Sequence, residues 1–309
     1  MCKILIFTFI FFIYLSINLY SDTVSIILKV DNEIITNTDI ENEGKYLLAL
    51  NKDLAKLEEI EISKIARESI IREKIKTKEL KKYIEIDKFE DEKLLRSIMK
   101  NFYSKLNIEN LEDFKTYLND NGLSYLNVKS KIKIEILWNQ LISELYGDQI
   151  SVNEKKILEK IKNKKLNEQE SFEYNLSEIV FSLENENELE DRYKKIKESI
   201  DKFGFKVTAN KFSISDSNKF GGEIGLVDEN QLSDLIKDVL KNTEINKITK
   251  PILVANGYLI LKVNDKKMIK NEVDENIVLK KLINFERQKK FDQFSSIHFN
   301  KAKINSKIE

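Results

Sequence analysis

Very few side chains in this sequence are suited to covalent or metal chemistry. The 309 residues include one histidine, His298, and one cysteine, Cys2. A tetrahedral zinc site takes four such ligands, or three and a water, so a Cys/His zinc site is excluded. A Ser-His-Asp triad would depend on His298, which we expect at the surface of the polar C-terminal segment. What remains is chemistry by carboxylates, lysines, tyrosines or the backbone, or binding without covalent chemistry.

The charge balance argues against a polyanionic partner. Lysine and arginine together number 52, aspartate and glutamate also 52, and the formal net charge is zero. Nucleic-acid binding needs a net basic face that neutralises phosphates, so we expect no nucleic-acid partner. The glycine run 221–225 follows a polar loop rather than a strand, which does not fit a dinucleotide fingerprint. We therefore expect no nucleotide, metal or other cofactor.

The first 21 residues have the pattern of an export signal. Lys3 precedes an apolar run from Ile4 to Leu19, and Ser21 is a small residue before the chain turns polar. The run is shorter than the roughly 20 residues that span a bilayer, so we expect a signal peptide (1–21) that is cleaved. An uncleaved inner-membrane anchor is the alternative. Cleavage would remove Cys2 and leave a thiol-free chain, which suits an oxidising compartment.

The secondary-structure elements that must position any site are predicted to be mainly helical in the first half of the chain. Residues 24–36 predict a hairpin around Asp31, and the pattern from there to about 164 is helical. The run Lys74–Lys82 is interpreted as a solvated helix face. The strongest amphipathic helix is 124–146, and its apolar stripe consists of Ile134, Leu137, Trp138, Leu141, Ile142 and Leu145. Core packing is the favoured interpretation of Trp138, and a place in a client-binding groove is the alternative.

From about residue 172 the pattern becomes that of a small mixed unit. A strand is predicted at 172–183, a helix at 188–203, a glycine loop at 221–225, a helix at 232–240 and a final strand at 257–263. Residues 271–309 return to a helical pattern. The whole therefore predicts an α+β protein of about two domains.

Three segments of this unit resemble the parvulin (rotamase) family, in the family's order. They are the opening strand Tyr174–Phe181, the serine-and-acid loop Phe212–Gly225 that runs into Gly-Gly-Glu-Ile-Gly, and the closing segment Lys250–Val263. The flanking segments Lys29–Asp39, 122–151 and 291–304 look like the N-terminal module and terminal helix of SurA-type periplasmic chaperones. The resemblance spans essentially the mature chain and departs from the best-known members in having one parvulin domain instead of two.

The resemblance also implies where a site would lie, and what it lacks. The positions of the family's two histidines correspond to Glu178 and Leu259, and the acid or cysteine position to Asp216. The proline pocket falls near Leu232 and Ile236, and the aromatic position after the glycines is Leu226. Two interpretations follow: a parvulin fold kept as a scaffold with weak or no activity, or modest catalysis retained through the pocket and Asp216.

The expected protein is thus a periplasmic chaperone for unfolded or nascent exported polypeptides, outer-membrane proteins among them. The resemblance implies a helical chaperone domain (22–168), a parvulin-like domain (172–265) and a C-terminal helical segment (271–309) that packs on the first domain. The alternatives are an active peptidyl-prolyl cis-trans isomerase that assists exported proteins, and a membrane-anchored foldase if residues 4–19 are retained.

Overall fold

The structure is a computed structural model, and it describes residues 23–89, 91–155, 157–159, 170–183, 185–270 and 275–309. The predicted signal peptide (1–21) lies outside the described residues. The fold is α+β, as predicted: a helical module, closed by the terminal helix, holds a four-stranded antiparallel sheet domain between its parts.

A short hairpin begins the described chain. Strands β1 (Ile26–Val30) and β2 (Glu33–Thr36) pair antiparallel, and Asp31 takes the left-handed φ of 53° that a two-residue turn needs. The chain's C-terminus lies along the other edge of β1, where the Lys29 backbone N–H donates to the Glu309 oxygen at 2.8 Å. The first and last described segments thus share one small sheet.

Five helices follow the hairpin and form the helical module together with the terminal helix. They are α1 (Asn37–Leu50), α2 (Glu59–Leu80), α3 (Glu92–Ser104), α4 (Leu111–Asp120) and α5 (Tyr125–Ile150). Helix α1 begins after Thr36, which forms a capping box with Asp39. The predicted stripe of α5 is buried except for Leu145, which is 39% exposed.

The sheet domain (170–270) contains four strands and three helices. The strand order is β4-β3-β6-β5, all antiparallel. The elements are β3 (Glu170–Phe181), α6 (Leu189–Phe203), α7 (Phe205–Phe212), β4 (Glu223–Asp228), α8 (Asp234–Lys241), β5 (Ile252–Val254) and β6 (Gly257–Lys270). The stretch 205–212 is a short helix, in which Val207 and Ala209 are fully buried.

The terminal helix α9 (Glu275–Ile304) lies against α5 and α2. Its contacts with α5 include the stacked rings of Tyr146 and Phe294, whose centroids are 5.0 Å apart. His298 is therefore not a surface residue, as expected from sequence, but is 5% exposed. Its Nδ1 lies 2.9 Å from the Tyr146 hydroxyl, and its Nε2 lies 3.3 Å from Glu79 Oε1 without hydrogen-bond geometry.

Candidate functional site

The predicted site residues meet at one cleft between the sheet domain and the helical module. A cleft of about 390 Å³ is lined by five of the seven residues proposed from sequence, namely Glu178, Asp216, Leu232, Ile236 and Leu259. This volume lies within the range of sites that hold small ligands or single side chains of a bound peptide. The cleft is the candidate site.

Strand register explains why the two histidine positions of the resemblance lie together. On β3 and β6, Glu178 pairs with Leu261 and Val180 pairs with Leu259. Side chains two residues apart point to the same face of a sheet, so Glu178 and Leu259 are diagonal neighbours on the face that lines the cleft. A pair of imidazoles at these positions would be within reach of one ligand, but this chain offers a carboxylate and an apolar side chain.

Glu178 is engaged by the loop that crosses above it. Its Oε1 accepts hydrogen bonds from Ser215 Oγ at 2.6 Å and Ser217 Oγ at 2.9 Å. Its backbone N–H donates to the Gly222 carbonyl at 2.7 Å. A carboxylate held in this way is stabilised without a cation, because hydroxyl donors replace the water that it loses. Glu178 therefore acts first as an anchor for the loop.

The glycine run 221–225 lets the loop lie close to the backbone of Glu178, and this explains the glycines without a phosphate-binding role. Gly222 has φ of +80°, and a Cβ built there would lie 2.3 Å from the Glu178 carbonyl oxygen. Only glycine fits such a contact with a left-handed backbone. Glycine at this position lets the loop lie directly on β3 and carry Asp216 to the mouth of the cleft.

Asp216 opens the short 3-10 turn Asp216–Phe220, called the site turn below. Its carboxylate is 62% exposed, and Oδ1 lies 3.6 Å from Nζ of Lys76, a residue of α2. Lys76 also pairs with Glu135 of α5 at 2.5 Å, and Glu135 pairs with Lys219 of the site turn at 3.0 Å. The site turn is thus bound to the helical module by charges of alternating sign.

The pKa values of Glu135 and Lys219 are displaced in the direction that keeps both groups ionised. Burial alone would raise the pKa of Glu135, but Lys219 and Lys76 outweigh it and the net pKa falls well below its ordinary value. Burial would lower the pKa of Lys219, yet Glu135 raises it well above the usual range. These groups stay charged at any pH near neutrality.

The apolar part of the cleft is formed by the sheet and the segment around α8. Leu232 and Leu259 are 9% and 8% exposed, and Ile236 is half-buried beside them. Leu232 precedes α8, because Ser233 caps the helix by accepting from the Ile236 backbone N–H. This surface can receive an apolar side chain such as a prolyl ring, but Leu259 offers the ring's amide no hydrogen bond.

The opposite wall of the cleft comes from the helical module, and sequence reasoning missed it. Arg72 of α2 lies over the Phe299 ring of α9 at 5.1 Å, and its Nη1 donates to the Ile214 carbonyl at 3.0 Å. Asp292 of α9 also lines the cleft. Loss of hydration raises its pKa to about 6, with Glu178 and Asp216 adding to the rise. These residues were not predicted as part of the site because they lie far from the sheet domain in the sequence.

Lys76 and Glu79 correct one interpretation made from sequence. They are 3% and 6% exposed, so the run Lys74–Lys82 is not simply a solvated face. The reason is tertiary, since Lys76 meets Glu135 and Glu79 lies against His298. A charge run whose partners lie on distant elements cannot be distinguished from a solvated face in sequence.

Two proposed binding residues lie away from the cleft. Trp138 is fully buried, and its Nε1 donates to Ser295 Oγ at 2.9 Å, so it packs between α5 and α9 and lines no client groove. Core packing, the interpretation favoured from sequence, is thus what the structure has, and the alternative of a client groove is wrong because α9 covers the stripe of α5. Leu226 is 67% exposed on β4, the edge strand of the sheet, and does not line the cleft.

Within residues 23–89, 91–155, 157–159, 170–183, 185–270 and 275–309, no group of three or more His, Cys, Asp or Glu side chains is placed to hold a metal ion. In those same ranges, no helix has the length and apolar character required to cross a membrane.

Comparison with known proteins identifies the domain. Residues 157–265 match the family described as Rotamase, PPIC-type PPIASE domain. Chaperone SurA of Pseudomonas aeruginosa is 25% identical over 185 residues, which are 55% of this chain and 44% of that protein. Chaperone SurA of Hahella chejuensis is 24% identical over 212 residues, 61% of this chain and 49% of that protein. The chain thus matches less than half the length of these relatives.

Among solved structures, a SurA-like chaperone from the report on PEB4 and Cj1289 of Campylobacter jejuni is 18% identical, with a TM-score of 0.36. The match covers 92% of this chain and 98% of that one. The peptidylprolyl isomerase PrsA of Bacillus cereus is 20% identical, with a TM-score of 0.30 and coverage of 90% and 91%. Residues 157–265 thus match a rotamase domain of the PpiC type, and the chain is similar to curated SurA chaperones.

Proposed function

We propose that this chain is a periplasmic chaperone for unfolded or nascent exported polypeptides, including outer-membrane proteins, and that its rotamase domain is a binding scaffold with weak or no isomerase activity. The observation that carries the proposal is the make-up of the cleft. It keeps an apolar surface for a client side chain, while Leu259 and the serine-bound Glu178 stand at the positions that the resemblance assigns to the family's two histidines. The similarity to Chaperone SurA supports the chaperone role.

The proposal assigns a role to each part of the chain. A helical chaperone domain (22–168), a rotamase domain (172–265) and a C-terminal segment (271–309) that completes the first are the proposed units. Residues 1–21 are the proposed signal peptide, and sequencing of the N-terminus of the exported protein tests cleavage after Ser21. A mature chain that begins at Met1 would favour the membrane-anchored alternative.

The second candidate is an active prolyl isomerase. Isomerisation needs no proton transfer, because its barrier of about 18–20 kcal/mol arises from lost amide resonance. An apolar cleft with Asp216 at its mouth could lower that barrier by holding the amide twisted. Asp216 is therefore the residue on which the two candidates differ.

A protease-coupled assay on a prolyl peptide separates the candidates. The uncatalysed reaction takes tens to hundreds of seconds, which leaves room to detect even slow catalysis. We expect the full chain to accelerate it little, and Asp216→Ala to leave that rate unchanged. A large acceleration that disappears in Asp216→Ala would establish the isomerase instead.

Suppression of aggregation tests the chaperone role. An unfolded outer-membrane protein diluted from urea is expected to stay soluble longer with the full chain. Ile236→Asp, which places a charge in the apolar part of the cleft, is expected to weaken this only partly if the helical module also holds clients. No protection by the unmodified chain would contradict the proposal.

A further inference from the structure

The rotamase cleft is built by two parts of the molecule, and its charged contacts cross between them. Asp216 and Lys219 of the site turn pair with Lys76 and Glu135 of the helical module. The order of charges is Asp216, Lys76, Glu135, Lys219, so every neighbouring pair has opposite signs. Both ends of a five-residue turn are therefore held by one network.

Apolar contacts hold the same turn in register. Phe220 lies edge-on to Phe102 of α3, with ring centroids 5.3 Å apart, and Lys105 lies 4.9 Å above the Phe220 ring. Arg72 binds the Ile214 carbonyl just before the turn. The loop that shapes the rotamase cleft is thus the loop by which the sheet domain docks.

Lys76 is the member of this network whose burial calls for an explanation. It is 3% exposed, although lysine is almost never buried unless it is paired, and it also lines the cleft. Glu135 alone satisfies its charge, since that pair is 2.5 Å apart. The remaining approach is to Asp216 Oδ1 at 3.6 Å, and that carboxylate is 62% exposed in the cleft.

We infer that Lys76 is a positioning residue for Asp216, so that the helical module completes the polypeptide site of the rotamase domain. The occupant is an extended polypeptide segment with an apolar side chain on Leu232, Ile236 and Leu259 and with its backbone beside Asp216. This inference rests on the proposed function, because it takes the cleft to bind polypeptide.

The test uses the full chain and a fluorescein-labelled peptide Ala-Leu-Pro-Phe, with Kd measured by fluorescence anisotropy. The pair is long, at 3.6 Å, and its carboxylate is solvent-exposed, so Lys76→Met and Asp216→Asn are each expected to raise Kd by about threefold to fivefold. The double variant is expected to bind no more weakly than Asp216→Asn alone, because one interaction is removed only once. Lys76→Arg is expected to stay within about twofold of the unmodified chain.

Controls separate positioning from general damage. Lys74→Met, on the same helix but paired with Glu33 at 3.3 Å, is expected to leave Kd unchanged. Trp138 is the single tryptophan, and its ring lies 5.5 Å from Lys76 Nζ, so an unshifted emission maximum reports an intact core around the network. If Lys76→Met does not fold, raising salt tests the same pair: Kd should rise for the unmodified chain and less for Asp216→Asn.

The outcomes are distinguishable. Coupled effects of Lys76 and Asp216 support the inference. Unchanged binding by Lys76→Met, or strictly additive losses in the double variant, overturns it while the proposed function stands. Failure of the unmodified chain to bind the peptide overturns the assignment of the cleft to polypeptide, and with it the inference.

Discussion

Glu178 and Leu259 face the cleft from neighbouring strands, and neither can act as one of a pair of imidazoles. Glu178 is held by two serine hydroxyls, and Leu259 has no polar atom in its side chain. Asp216, another polar residue of the cleft, pairs across the domain boundary. At the scale of single residues, these side chains are the reason for proposing a binding scaffold, because they offer few groups matched to a twisted amide.

The first prediction concerns Gly222. Gly222→Ala would force a Cβ against the Glu178 carbonyl and strain a positive φ, so we expect a loss of about 2–4 kcal/mol in the free energy of unfolding. Gly225 is the matched control: it has φ of +81° but open space around a built Cβ, and Gly225→Ala should cost only about 1 kcal/mol. Urea denaturation measures both, and equal losses would show that the close contact does not matter.

At the scale of elements, α9 is the component that links the modules. One face of α9, which includes His298, packs on Trp138 and Tyr146 of α5. Asp292 and Phe299 of α9 also line the cleft. Displacement of α9 would therefore alter the core of the helical module and the wall of the cleft together.

His298 predicts how the packing of α9 depends on pH. Burial lowers the pKa of His298 below its ordinary value of 6.5, although Glu79 opposes the shift. A lowered folded-state pKa for a histidine means that the unfolded chain binds the proton more readily. The stability contributed by His298 is thus fully present above pH 6.5 and is lost as the pH falls through the folded-state pKa.

We therefore expect His298→Gln, which can keep a hydrogen bond to Tyr146, to reduce the loss of stability between pH 7.5 and pH 5.5. The measurement is the urea midpoint of both proteins across that range. Phe294→Leu, one helical turn earlier and without a titratable group, serves as the control and should keep the pH dependence of the unmodified chain. Parallel curves for the unmodified chain and His298→Gln would show that another group titrates.

At the scale of the whole molecule, the docking of the sheet domain depends on few contacts of mixed kind. Asn51 reaches Asn210 at 2.5 Å, Lys211 pairs with Glu61 at 2.5 Å, and Phe220 fills a place beside Phe102. Lys211 and Lys64 hold the pKa of Glu61 down to about 2, so that pair persists through mildly acidic conditions. Screening by salt and loss of the Phe220 ring should act together on docking.

Phe220→Ala is expected to weaken docking by about 1–2 kcal/mol, because a half-buried aromatic ring and its edge contact are lost. Small-angle X-ray scattering should show a larger radius of gyration for the variant, and more so at high salt. Leu253→Ala, an exposed apolar side chain of the same domain, should leave the scattering unchanged. Unchanged scattering for Phe220→Ala would show that the ring is dispensable.

Features set by residues close together in the sequence could be predicted, whereas contacts between residues distant in the sequence could not. Local signals were sufficient for the Asp31 turn and for the apolar stripe of α5, which is buried except for Leu145. The resemblance pointed to five residues that line one cleft, and strand register explains why two of them, Glu178 and Leu259, share a face. Lys76 was missed because its partners, Glu135 and Asp216, are distant in sequence and its neighbours resemble a solvated run.

The small sheet shared by Lys29 and Glu309 has a consequence for the order of folding. The helical module cannot bury Trp138 or pair the outer edge of β1 until α9 and the last residues have been made. The sheet domain, whose strand pairs lie within 101 residues of one another, can form first. Its completion brings the two halves of the helical module together, so the inserted domain shortens the loop that the slowest contacts must close.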